Sequence, residues 1–196
     1  MIGVLPGTNI PLPPGRRDNL FHVLDPVFAV SPGGLLLSQV TEMTGLNAAT
    51  IQNWVKRGWV SNPVNKRYGE LHVARILLIN LMRPAMQMEK IAALLRKING
   101  SVDDRADDII PEPQLYSLLA AMVLQLDEQK RIDHESVTAL IGAQLEGYEG
   151  PVPDAKDRLT DALTLMLLNI AAATLMQQAD AIFTRMMSAS PGAPEA

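Results

Sequence analysis

Gln52, Asn53 and Lys56 follow Ala49 at three- and four-residue steps, so a helix carries all four on one face and sets Ile51 and Val55 on the opposite side. Amide side chains so placed can bind adenine bidentately in a DNA major groove, and a neighbouring lysine reaches guanine or phosphate. The plainer reading of the same pattern is a polar helix face turned to solvent. Asn47 and Thr50 at the start of this helix and Arg57 at its end complete its candidate DNA-contacting set. Lys66 and Arg67 lie just downstream, followed by Arg75 and Arg83; residues of this type hold phosphates and set register without reading sequence. Tyr68 has two readings, a phosphate donor or a core tyrosine. Trp54 fits the core. Trp59 fits either a stack on the basic segment or the wall of a pocket.

These residues need a scaffold that holds one helix outward. Ser38 is placed to cap a helix through Thr44, and Gly45 stops it. Asn47 is placed to cap a second helix, 48–57, which Gly58 ends. Leu37, Val40, Leu46, Ile51, Trp54 and Val55 have the spacing to pack the two together. Trp59–Tyr68, with Asn62-Pro63 and Asn65 as turn residues, predicts a hairpin or wing. A third helix is expected over 70–82, interrupted by Pro84, and a fourth over 88–98, stopped at Asn99-Gly100. Two short helices, a basic hairpin and two further helices make the layout of a winged helix-turn-helix.

Charge follows the same boundaries. Residues 35–100 hold nine positive and three negative side chains, a net +6, within a chain of net charge −4. Residues 101–196 hold six positive and sixteen negative, a net −10. A basic module inside an acidic chain points to an anionic partner for that module alone. With 196 residues and 47% hydrophobic content, a sizeable core is available. Only 4% of residues are aromatic, and Leu, Ala, Met and Ile carry the apolar mass, which favours helices. No cysteine is present, so disulfides, thiolate metal sites and thiol nucleophiles are excluded. The Gly- and Pro-rich start lacks the basic and apolar regions of a signal peptide.

The stretch VTEMTGLNAATIQNWVKRG, Val40 to Gly58, resembles the MerR-type helix-turn-helix, and KRYGELHVARILLINLMRPAMQMEKIAALL, Lys66 to Leu95, resembles the rest of that module. IQNWVKRGWVSNPVNKRY, Ile51 to Tyr68, with DDIIPEPQLY, Asp107 to Tyr116, is similar to the bacterial domain-of-unknown-function family DUF1836, which is regarded as MerR-like. Together these cover roughly residues 35–120. The resemblance implies DNA binding through the second helix and the wing. It departs from MerR at that helix: Gln52-Asn53-Trp54-Val55 stands where MerR proteins carry Arg-Tyr-Tyr-Glu, so the arginine and tyrosine contacts do not transfer.

Other constellations are weaker. Asp103, Asp104, Asp107 and Asp108 lack the glycine and terminal glutamate of a calcium-binding EF-hand loop and suit the start of a helix instead. His22, His72 and His134 have no second ligand at metal spacing. No phosphate-binding loop, nucleophile elbow or metalloprotease helix motif occurs, so no catalytic residue, metal or cofactor is assigned and no enzyme is expected. Helices near 112–127, 133–146 and 154–188 follow. The run 162–176 is nearly all apolar but shorter than a membrane span, which favours a buried or dimer-forming helix.

The expected fold is mainly all-α: a Pro/Gly-rich arm over 1–34, a MerR-like winged helix-turn-helix with a small β-hairpin wing over 35–110, a helical dimerisation or sensing region over 111–188, and a disordered tail over 189–196. The expected function is a cytoplasmic, homodimeric transcriptional regulator that binds specific double-stranded DNA, with a small-molecule effector as a further possible partner and no membrane association. The alternatives are a protein-interaction module on a helix-turn-helix scaffold, or a ligand-binding helical protein.

Overall fold

A computed structural model describes residues 3–100, 108–129 and 133–188. Its elements are α1 (Asp25–Ala29), β1 (Leu35–Leu36), α2 (Leu37–Thr44), α3 (Ala48–Lys56), β2 (Arg67–Tyr68), α4 (Glu70–Met82), α5 (Met88–Asn99), α6 (Glu112–Gln129), α7 (His134–Gln144) and α8 (Ala155–Ser188). The protein is mainly helical, with one two-stranded sheet among the described residues. Asp103, Asp104, Asp107 and the tail 189–196 lie outside the described residues.

The centre of the molecule is α4. Its sequence ELHVARILLINLM is apolar nearly all round, and such a helix is stable only when covered on every side. Val73, Ala74, Ile76, Leu77, Leu78, Ile79 and Met82 are all buried. Leu71, in the first turn, is exposed. α6 lies against α4, and α7 and α8 continue the same core, which runs from Leu5 to Leu167 without a break. The packing therefore does not divide near residue 110.

The N-terminal arm belongs to this core. Leu5, Leu20 and Leu24 are fully buried, Leu20–Leu24 forming a short 3-10 turn ahead of α1. Asn80 of α4 donates to Gly7 O at 2.9 Å and to Thr44 O at 3.2 Å, tying the arm to α2. The Tyr116 hydroxyl donates to Pro6 O at 2.6 Å, and its ring meets Phe21 edge-on at 6.0 Å. Burial pushes the Tyr116 hydroxyl pKa far up from its ordinary value near 10. Because the folded pKa lies above the unfolded one, the stabilisation is complete below pH ~10 and is lost as pH rises beyond it. We expect the urea midpoint to fall as pH rises above about 10, and Tyr116→Phe to flatten that fall. The same variant loses a buried hydrogen bond, at a cost of about 1 kcal/mol at neutral pH.

Glycine and asparagine set the ends of α2 and α3 as expected. Gly45 adopts φ 69° and Gly58 φ 70°. The Asn47 carboxamide oxygen accepts the Thr50 amide at 2.7 Å. The start of α2 differs. The helix begins at Leu37, with Ser38 already inside it, and the Leu36 amide donates to Gln39 Oε1 at 2.8 Å. Gln39, the third helical residue, thus reaches back to the amide of the cap residue itself, a different donor from the downstream amide a capping Ser38 would accept.

The segment after α3 also differs from a simple hairpin. Asn65 and Lys66, at φ 51° and 61°, make a tight turn closed by Arg67 N–H to Val64 O at 2.9 Å. The returning strand β2 pairs with β1, ahead of α2, in the register Leu35 to Tyr68 and Leu36 to Arg67. Pro63 has no amide to offer a partner strand. Gly34 permits the close pairing: at φ 95°, a Cβ there would sit 2.8 Å from Tyr68 O.

α8 has 34 residues and spans about 51 Å. Leu159, Leu163, Met166 and Leu167 are buried, whereas Leu175, Met176, Ile182, Phe183, Met186 and Met187 are exposed. By length and composition this helix could cross a membrane; 39% of its most apolar window is buried inside the protein.

Candidate nucleic-acid interface

α3 is amphipathic in the sense the interface requires. Ile51 and Trp54 are buried, and Ala49, Gln52, Asn53 and Lys56 are exposed together. Asn47 Oδ1 also accepts the Thr50 hydroxyl at 2.8 Å, so these two side chains are engaged with each other at the helix start. At the other end, Arg57 Nε donates to Asn53 Oδ1 at 3.4 Å while its guanidinium lies 5.1 Å from the Trp59 ring centroid. Arg57 also approaches Glu89 of α5 at 3.9 Å. A planar cation held between an amide and an indole is preorganised, and one face of Trp59 thereby gains its role as a shelf for Arg57.

The basic turn contributes unequally. Lys66 is exposed at its tip. Arg67 is half-buried, lies along Gly33 and donates through Nη1 to Gly34 O at 2.9 Å, so part of its guanidinium is committed to holding β1. Tyr68 is buried and meets His72 edge-on at 5.9 Å. Of its two readings the core one holds, and burial raises its hydroxyl pKa. His72 Nδ1 accepts the Gly69 amide at 3.1 Å, and its Nε2 lies 3.1 Å from Asn62 O, which clasps the loop onto the start of α4.

Arg75 corrects the expectation that it holds phosphate. It is 4% exposed, forms an ion pair with Glu112 Oε1, itself 2% exposed, and donates to Trp59 O at 3.1 Å. The cause is α6, which covers this side of α4 and brings Glu112 over Arg75. No local signal distinguishes such an arginine from a surface one, because its partner lies 37 residues away. Arg83 remains exposed, with Nε donating to Asn80 Oδ1 at 2.8 Å. Among the described residues, no three His, Cys, Asp or Glu side chains converge on a point that could hold a metal.

The chain is thus a mainly helical protein with one continuous core and an outward-facing polar helix beside a basic turn. Residues 23–119 match the model of the family described as "Domain of unknown function (DUF1836)", and this stretch is a domain of that family. "Uncharacterized protein YkrK" of Bacillus subtilis (strain 168) is 32% identical over 92 residues. That alignment takes in 45% of this chain and 39% of the relative, so the similarity spans about two fifths of that protein's length. No solved structure matches the chain.

Proposed function

We propose that this protein is a sequence-specific, double-stranded-DNA-binding transcriptional regulator of the bacterial cytoplasm, built on a MerR-like winged helix-turn-helix and acting as a homodimer. The observation that carries this reading is the exposed set Gln52, Asn53 and Lys56 on α3, opposite the buried Ile51 and Trp54. In this reading α3 enters the major groove, Gln52 and Asn53 read base edges, and Lys56 reaches guanine or phosphate. Lys66 and the uncommitted edge of Arg67 hold the backbone. Arg57, steadied on Trp59, supports the groove-facing surface. Gln52 supplies an amide where MerR proteins supply arginine, so the bases preferred are adenine-rich rather than guanine-centred.

The test is selection of bound duplexes from a random-sequence pool, at low and then moderate salt. Enrichment of a palindrome supports the reading, because a two-fold dimer presents α3 to two half-sites. Unenriched binding that vanishes with modest salt, or no binding, overturns it.

The homodimer rests on the exposed apolar side chains that end α8. Six large ones project there, enough to form much of the roughly 800 Å² per partner of a standard interface. Phe183→Glu with Met186→Glu is expected to convert the dimer to a monomer in analytical ultracentrifugation without loss of helical circular dichroism. A monomeric parent chain removes this part of the proposal. The exposed apolar end equally favours a second reading, a protein-interaction module on the same scaffold, whose signature is capture of a partner by a chain that leaves DNA unbound.

A further inference from the structure

A cleft of about 800 Å³ opens between the N-terminal arm, the first half of α6 and the segment that ends α7, with Glu70 of α4 on its wall. This lies within the range of small-molecule sites, roughly 300–1,000 Å³. Phe21, Ile110, Leu118 and Leu145 make one part of its lining apolar, while Asn19, Gln114, Ser117 and Gln144 add uncharged polar groups. Its ionisable lining is mostly acidic: Asp18, Asp25 and Glu70 against Arg17 and His22. Arg17 is already engaged, its Nη2 lying 2.6 Å from Glu128 Oε1. His22 Nδ1 lies 3.1 Å from Asp25 Oδ2. Arg16 Nε comes only to 3.9 Å from the Asp18 carboxylate and donates instead to the Asp18 carbonyl at 2.9 Å. Asp18 and Glu70 are both exposed at the cleft. An anion entering here meets three carboxylates and an arginine already paired.

We infer that this cleft is a binding site for small organic cations that combine an apolar body with a protonated amine. The apolar lining takes the body by excluding water from it, and Asp18 and Glu70 hold the ammonium. An aryl-alkylamine fits both demands. The inference goes beyond the DNA-binding reading and is tested in the absence of DNA, so either can fail alone.

The probes are tryptamine and indole-3-acetate, which share an indole body and differ in the sign of the end group. They are titrated into the full chain with its methyl groups carbon-13 labelled. Tryptamine is expected to shift the Ile110, Leu118 and Leu145 methyl signals in a saturable way, with indole-3-acetate about tenfold weaker. Asp18→Asn with Glu70→Gln, both exposed sites that preserve the fold, is expected to lower tryptamine affinity about fivefold and to narrow the gap between the probes. Equal binding of the two probes, no shift at millimolar tryptamine, or shifts confined to the exposed end of α8 each overturn the inference.

Discussion

Glu112→Ala is expected to destabilise the protein by about 3–5 kcal/mol, because it leaves the Arg75 guanidinium buried without its counter-charge. Arg75 is 4% exposed, on the side of α4 that α6 covers. For a chain of this size, each kcal/mol lowers Tm by roughly 2–4 °C, so the loss reads as roughly 10 °C in a thermal melt. Replacing both partners with apolar residues, Arg75→Met with Glu112→Leu, is expected to recover most of that loss. The double variant still gives up the bond from Arg75 Nε to Trp59 O, worth about 1 kcal/mol. If the single and double variants are equally unstable, the pair is not the electrostatic clamp between α4 and α6 that its burial implies. Had Arg75 been a surface phosphate contact, Glu112→Ala would leave Tm nearly unchanged.

The second large effect concerns DNA. On the proposed reading, Gln52→Ala with Asn53→Ala removes two base-reading amides, each worth about 1–3 kcal/mol of discrimination. Affinity for the selected site should therefore fall on the order of a hundredfold or more, with little change for unrelated duplex. Lys66→Ala should do the converse. It weakens all duplexes alike and reduces the slope of log affinity against log salt by about one phosphate contact. The two variants are measured side by side by fluorescence anisotropy across a salt series. Both substitutions lie on exposed residues, so far-ultraviolet circular dichroism and Tm should match the parent. If the double variant and Lys66→Ala give the same salt-dependent loss on every duplex, α3 touches only backbone and the specificity claim falls.

The helices from α2 to α5 were legible in the sequence because their ends are marked by local chemistry. Gly45 and Gly58 take positive φ, Asn47 caps from within its own turn, and Pro84 and Gly100 interrupt or end helices irrespective of what surrounds them. The exposed face of α3 was legible for the same reason, since the helical period alone separates Gln52, Asn53 and Lys56 from Ile51 and Trp54. Ser38 was misread as a cap because Gln39, one residue on, reaches back to the Leu36 amide and starts the helix earlier. A capping serine accepts from an amide ahead of it and a glutamine at the third position from the cap residue's own amide, and only the backbone geometry chose between the two helix starts.

Elsewhere, partners remote in the chain made the decision. Arg75 and Tyr68 carry the same side chains as surface DNA contacts, yet α6 buries the first and β1 with His72 encloses the second. The sequence marks a Pro/Gly-rich arm, and the structure buries its Leu5 and ties Gly7 to Asn80 and Pro6 to Tyr116, the two bonds joining residues more than 70 apart in sequence. The cleft lined by Asp18, Glu70, Leu118 and Leu145 draws on four distant segments and has no signature in any one of them.

By itself the sequence determined the helical class, the ends of most elements, the basic character of 35–100 and the polar face of α3. Each depends on interactions within one or two helical turns, or on composition alone. Only the tertiary structure decided which basic residues remain outside, where β2 finds its partner, that the acidic half shares one core with the basic module, and that a cleft forms between them and the arm. Those outcomes depend on contacts between residues far apart in the chain, and the hydrophobic effect that drives them is non-directional. The apolar pattern states that a face will be buried, and the packed neighbour determines what is buried with it.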